Sequence, residues 1–274
     1  MSLRRTTGVA KGTKKKPNAP PRLFVVSPHL DDAVLSCGNL LARCAGSVVC
    51  TVFAGRPREP MRTEWDAASG FADAHEAIAA RWREDETALA LCGATAVWLD
   101  FLDSQYGETP RVDDVAEALD AQFRRFDECV PVCPLGLGHC DHELVGAACR
   151  QLLDSGRLER YIAYEDAIYR ATPGVLSDGL ARVAQAGLRA RPVRASALGA
   201  PTLRRVWATK RSALRAYSSQ ARAFSGFPPD VARIERFWCV RPISRTQRGV
   251  GEKAKELSND RSQSLGVSHS SDSE

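Results

Sequence analysis

Two short clusters of metal-ligating and proton-transfer side chains stand about a hundred residues apart in this chain. The first is Ser27-Pro28-His29-Leu30-Asp31-Asp32, and the second is Gly136-Leu137-Gly138-His139-Cys140-Asp141-His142. Imidazole nitrogens and carboxylate oxygens are ordinary ligands of catalytic Zn²⁺ and non-haem Fe²⁺. Two histidines with one carboxylate form a facial set that leaves coordination positions open. Neighbouring aspartates point in different directions, so one can bind a metal while the other stays free to take a proton from water. A hydrolase follows from that division of roles.

Both clusters need elements that bring them together. The apolar run Leu23-Phe24-Val25-Val26 stops at Ser27-Pro28, and Val34, Leu35, Leu40 and Leu41 follow the first cluster, a pattern of buried strand, tight turn and helix start. Cys129-Val130-Pro131-Val132-Cys133 predicts a strand before the second cluster, and residues 143–153 a helix closed by Gly156. Further strands are expected over residues 47–54, 96–101 and 161–164, and helices over 75–91 and 112–126, with a long loop over 55–70. Beyond Pro173 the periodicity blurs, leaving one helix near residues 202–221 and an aromatic segment at Phe237-Trp238. This alternation implies an α/β fold, a parallel sheet with helices on both faces. In such sheets ligands bind at the carboxyl ends of the strands, where both clusters fall.

Composition bounds the rest. At 274 residues and 44% hydrophobic content the chain can bury a large core. No apolar run reaches the roughly 18–20 residues of a membrane span, and no signal-peptide core is seen at the N-terminus. Nine cysteines, an odd number, with Cys37, Cys50, Cys92 and Cys149 in apolar segments, read as buried thiols suited to a reducing cytoplasm. The net charge of +5 comes from the N-terminus: seven Lys or Arg and no acid lie in residues 1–22, leaving 31 basic against 33 acidic residues elsewhere. No nucleic-acid partner is therefore expected of the body. A single domain over residues 22–244 is expected between a disordered basic tail, 1–21, and a disordered Ser-rich tail, 245–274.

Each motif also has a plainer reading. Asp31 or Asp32 would serve as a helix cap, and an isolated histidine is usually a satisfied polar side chain. A structural zinc site from Cys129, Cys133, His139 and His142 matches no finger spacing. The pairing of two such clusters after two strands favours the metal reading.

His29-Leu30-Asp31-Asp32 together with Gly138-His139-Cys140-Asp141-His142 resembles the paired signature of the PIG-L/LmbE-like N-acetylglucosaminyl deacetylases, across residues 22–169. The resemblance implies a Rossmann-like fold and a metal, usually zinc with Fe²⁺ as an alternative, held by His29, Asp32 and His142. It implies Asp31 as general base, His139 as stabiliser of the oxyanion or acid for the leaving amine, and Asp141 as orienter of a histidine. Arg81 and Asp103 match residues that hold the substrate's hydroxyls. Leu30 stands where many members have proline, Ala33 where many have glutamate, and Leu137 where a glucosaminyl-inositol branch has tyrosine. Trp65-Asp66, residues 100–106 and Tyr164-Glu165-Asp166 are more similar to the branch with glycopeptide-antibiotic sugar deacetylases. The expected activity is removal of an N-acetyl or N-acyl group from a glucosaminyl-containing glycoside or glycoconjugate, with Trp65, Tyr106 and Trp238 near the rest of the acceptor. The rival reading is a non-haem Fe²⁺ oxygenase built on His29-x-Asp31 and a distant histidine, an enzyme class usually found on all-β scaffolds.

Overall fold

The computed structural model describes residues 20–198 and 204–243. Its centre is a seven-stranded sheet. The strands are β1 Leu23–Ser27, β2 Val48–Thr51, β3 Thr95–Trp98, β4 Val130–Pro134, β5 Tyr161–Tyr164, β6 Leu188–Val193 and β7 Phe237–Pro242, in spatial order β3-β2-β1-β4-β5-β7-β6. β1 is buried along its whole length. Phe24 and Val26 face one apolar cluster, and Leu23 and Val25 the other, because successive strand side chains alternate between faces. Helices α4 (Val112–Arg125) and α5 (Cys140–Asp154) contribute to the first cluster. Helices α1 (Asp32–Arg43), α3 (Ala74–Leu91) and α7 (Arg204–Ala216) contribute to the second. The expected α/β fold with helices on both faces is thus present.

β1 pairs in parallel with β2 on one side and β4 on the other, and the strand order reverses between β1 and β4. The loops that leave these two strands carry the two motifs, so the crevice at the reversal receives both.

The C-terminal third departs from expectation. Helix α6 (Val175–Gln185) and strand β6 were not legible, and β7 runs antiparallel to both β5 and β6, making the sheet mixed rather than parallel. Arg189 and Arg191 break up the apolar run of β6, which lies at the sheet edge where only partial burial is required. The helix expected over residues 202–221 is two, α7 and α8 (Ser218–Ala223), divided at Tyr217. The loop over 55–70 contains a short helix, α2 (Glu64–Ser69), capped by Thr63 and ended by Gly70 at φ +90°. Apart from residues 20 and 21, both expected tails lie outside the described residues. No helix among the described residues is long and apolar enough to cross a membrane.

An ion pair ties the C-terminal elements to α1. Lys210, fully buried on α7, donates to Glu235 Oε1 at 2.9 Å and to the Leu35 carbonyl at 2.7 Å, while the Glu235 carboxylate accepts the Asn39 and Leu40 amides. Gly38 lets the lysine stem pass: a Cβ there would lie 2.7 Å from Lys210 Cγ. Losing either partner would strand a buried charge, so this contact fixes the helix that begins at Asp32.

Candidate metal and active site

The turn after β1 is set by Ser27, whose hydroxyl donates to the His29 carbonyl at 2.7 Å and accepts the Ala33 amide at 2.9 Å. Asp32, the first residue of α1, turns back so that Oδ2 accepts the His29 amide at 2.9 Å. The same oxygen lies 3.1 Å from His29 Nδ1 and 3.1 Å from Nε2 of His142, which α5 projects from its first turn. Three potential ligand atoms from two loops therefore converge on one point, and these residues form one of two metal-capable groups among the described residues. The second, His29, His139 and Asp141, shares His29.

The far nitrogen of each converging imidazole is held by a carboxylate. His29 Nε2 lies 2.9 Å from Asp141 Oδ2, and His142 Nδ1 lies 2.7 Å from Asp166 Oδ1. Asp166, just past β5, also accepts the Gly136 and Leu137 amides, which fixes the loop before α5. Carboxylate–histidine pairs of this kind orient metal ligands. His142 is 1% exposed, and its Nε2 has no hydrogen-bond partner despite lying near Asp32. A buried nitrogen without a partner beside two further donors fits a divalent cation.

Charge in the site supports the same reading. Burial opposes protonation of His29, yet Asp103, Asp141 and Asp32 together hold its pKa well above the ordinary value. His142 is likewise raised to about 9 against burial, by Asp32 and Asp166. Burial opposes ionisation of Asp32, but the two imidazoles hold its carboxyl well below the usual range. Negative potential that draws protons onto two imidazoles would be neutralised instead by a divalent cation, with release of those protons.

Asp31 behaves differently from its neighbour. It occupies the cap position of α1, but its side chain makes no capping hydrogen bond. The carboxylate faces the cavity instead, and burial together with the negative charge of Asp32 pushes its pKa up to about 6. His139 caps α5, its Nδ1 accepting the Asp141 amide at 3.3 Å. Burial and the nearby His29 lower its pKa.

These groups open into a cavity of about 370 Å³. Arg81, Asp103 and Gln105 are among its polar lining residues, with Arg81 Nη1 3.7 Å from Asp103 Oδ2. Leu35, Trp65, Ile168, Tyr169 and Phe224 supply its apolar and aromatic wall. Trp65 packs edge-on to Phe224 and donates to Gln220 Oε1 at 3.2 Å.

Of the residues expected from sequence, His29, Asp31, Asp32, Arg81, Asp103 and His139 line the cavity, while Asp141 and His142 stand behind it. Trp65 lines it too. Tyr106 and Trp238 do not: Tyr106 is buried against Asp66, and Trp238 on β7 donates to Glu165. The cysteine–histidine zinc alternative does not assemble, since neither metal-capable group contains a cysteine. The oxygenase reading loses its all-β scaffold, and Asp32 rather than Asp31 meets the two histidines. Sequence reasoning gave no role to Asp166, Tyr169, Gln220 or Phe224. Only Asp166 carried a signal, a carboxylate just past a strand end.

Residues 24–153 match the family model described as PIG-L, GlcNAc-PI de-N-acetylase. Among solved structures, the chain is similar to the zinc-inhibited form of teicoplanin deacetylase Orf2, with a TM-score of 0.67 and 23% identity over 82% of this chain and 99% of that one. A triple mutant of the deacetylase from the teicoplanin biosynthetic pathway gives 0.65 and 26% over 82% and 99%. The A40926 pseudoaglycone deacetylase Dbv21 gives 0.64 and 23% over 82% and 100%. No curated protein matches.

Proposed function

We propose, for a chain whose residues 24–153 belong to the PIG-L family, that it is a zinc-dependent amide hydrolase. Its substrate would be a glucosaminyl-containing small glycoside or glycoconjugate, from which it removes an N-acetyl or N-acyl group. One observation carries the reading: His29 Nδ1, Asp32 Oδ2 and His142 Nε2 converge beside an uncapped Asp31 carboxylate in a cavity large enough for a sugar.

His29, Asp32 and His142 would hold the metal, which when bound polarises the amide carbonyl and makes water more acidic. Asp31 takes the proton from the attacking water. Burial and the neighbouring Asp32 make it more basic than an ordinary carboxylate. His139 Nδ1 accepts a backbone amide, so Nε2 carries the hydrogen and is a donor toward the oxyanion without needing a second proton. The proton held on Asp31 then passes to the departing nitrogen, giving a carboxylic acid and a free amino sugar. Arg81 and Asp103 take the sugar hydroxyls, and the Trp65–Phe224 wall takes the acyl chain or aglycone.

The buried free thiols suit a cytoplasmic setting. The test is amine and acetate release from a panel of N-acetylglucosaminyl compounds. Activity should vanish on chelation and return with added Zn²⁺. An inert metal-loaded protein across the panel would reject the reading.

A further inference from the structure

The segment after β5 departs from ordinary backbone geometry at Ile168, which stands at φ +68°. A β-branched residue rarely enters this left-handed region, and such a conformation persists only where the surroundings fix it. Here they do. The Ala167 amide donates to Ser36 Oγ on α1 at 2.9 Å, and the Ile168 amide donates to Asp230 Oδ2 at 3.2 Å. The same Asp230 oxygen accepts Arg170 Nε at 2.8 Å, and the Asp230 carbonyl accepts Arg170 Nη2 at 3.0 Å. Arg170 Nη1 reaches the Ile234 carbonyl at 3.1 Å. Both side chains of the pair are less than a tenth exposed, and neither lines the cavity.

Residues on both sides of the strained turn touch the catalytic histidines. Asp166, two residues before Ile168, holds His142 Nδ1 and the loop amides of Gly136 and Leu137. Tyr169, the next residue, packs edge-on against His142 at 4.9 Å between ring centres and lies 6.1 Å from His139. We propose that the buried Arg170–Asp230 pair is a positioning device of the metal site. By holding Ile168 in the left-handed turn, it seats Asp166 behind His142 and Tyr169 against both histidines. Released from the pair, Ile168 relaxes to a negative φ, and the turn no longer aims its two neighbours at the site. The inference rests on the reading that His29, Asp32 and His142 hold the metal.

Calorimetric Zn²⁺ titration of the full chain tests it, with kcat and KM measured alongside. Asp230→Ala should bind Zn²⁺ roughly 10-fold more weakly, the loss typical of a displaced partner of a metal ligand, and should lower kcat more than it raises KM. Ile168→Gly added to Asp230→Ala should restore most of the affinity, because glycine enters the left-handed region freely. Should Asp230→Ala fail to fold because it strands the Arg170 charge, the double variant Arg170→Ala, Asp230→Ala carries the same test, since it releases the Ile168 amide and leaves no buried charge unpaired. A folded variant with unchanged Zn²⁺ affinity, or no recovery on adding Ile168→Gly, overturns the proposal. The titration stands without a known substrate: wild-type protein that binds Zn²⁺ but releases no amine would sink the deacetylase reading and leave this one intact.

Discussion

Asp85 should make the protein less stable as the pH rises toward neutrality, and replacing it with asparagine should remove that dependence. It lies on α3, 2% exposed, and accepts hydrogen bonds from Trp98 Nε1 and Tyr217 Oη, each at 2.8 Å. Burial outweighs these donors and pushes its pKa from 3.8 up to about 7. Between about pH 4 and 7 the folded state keeps a proton that the unfolded state has lost. This contribution to stability is complete below about pH 4 and disappears as the pH rises through about 7. At about 1.4 kcal/mol per pH unit the window amounts to about 4 kcal/mol. Asp85→Asn is never charged, and its amide can still accept from Trp98 while donating to the Tyr217 oxygen. Urea unfolding of both proteins from pH 4.5 to 8.5 should show the variant gaining on wild type as pH rises, by about 3 kcal/mol over that range. A difference independent of pH, or one that moves toward wild type at high pH, would mean that Trp98 and Tyr217 hold Asp85 ionised in the fold.

Two further outcomes follow from the cavity walls. Trp65→Ala and Phe224→Ala each lose an aromatic contact of about 1 kcal/mol, so KM should rise several-fold for acceptors with an apolar acyl or aglycone portion, with kcat for the smallest N-acetyl sugar unchanged. Equal losses for large and small substrates would remove these rings from acceptor recognition. Gly138→Ala should lower Tm well beyond Gly107→Ala. Both glycines have positive φ, at +71° and +84°, and would pay about 1–2 kcal/mol for it. Only at Gly138 would a Cβ also strike the Tyr169 side chain, at 2.8 Å. Equal Tm shifts would show that Tyr169 yields without resistance.

β1, β2 and β5 were legible because their apolar runs are buried on both faces and flanked by turn residues, as with Leu23-Phe24-Val25-Val26 before Ser27-Pro28, whereas β3, an edge strand with no buried residue, was legible only from its short apolar run after Gly93. β6 and β7 were not. Arg189, Arg191 and Arg241 interrupt them, and pairing partners more than forty residues apart leave no local trace. The site was legible where chemistry forces residue types into a short motif, as with His29, Asp31, Asp32, His139, Asp141 and His142, which gather; Arg81 and Asp103, expected only from the resemblance, line the same cavity. Phe224 and Gln220 reach the cavity from a C-terminal helix, a placement fixed by the packing of α8 on α2 rather than by spacing along the chain. Tyr106 and Trp238 show the converse error, since an aromatic side chain near a motif is as readily core as cavity wall. His139 needed the structure for another reason: only its contact with the Asp141 amide identifies which nitrogen carries the hydrogen.

In the proposed mechanism the two adjacent aspartates divide the work, Asp32 as ligand and Asp31 as base. Metal content and turnover of Asp31→Asn and Asp32→Asn, measured side by side on the same N-acetylglucosaminyl substrate, test it most directly. Asp31→Asn should keep about one Zn²⁺ per chain while kcat falls by roughly 10²–10⁴-fold, the range for a lost general base. Asp32→Asn loses an anionic ligand and should lose the metal or hold it far less tightly. Metal retained by Asp32→Asn and lost by Asp31→Asn would reverse the assignment, and full metal with full turnover in both would show that the chemistry happens elsewhere.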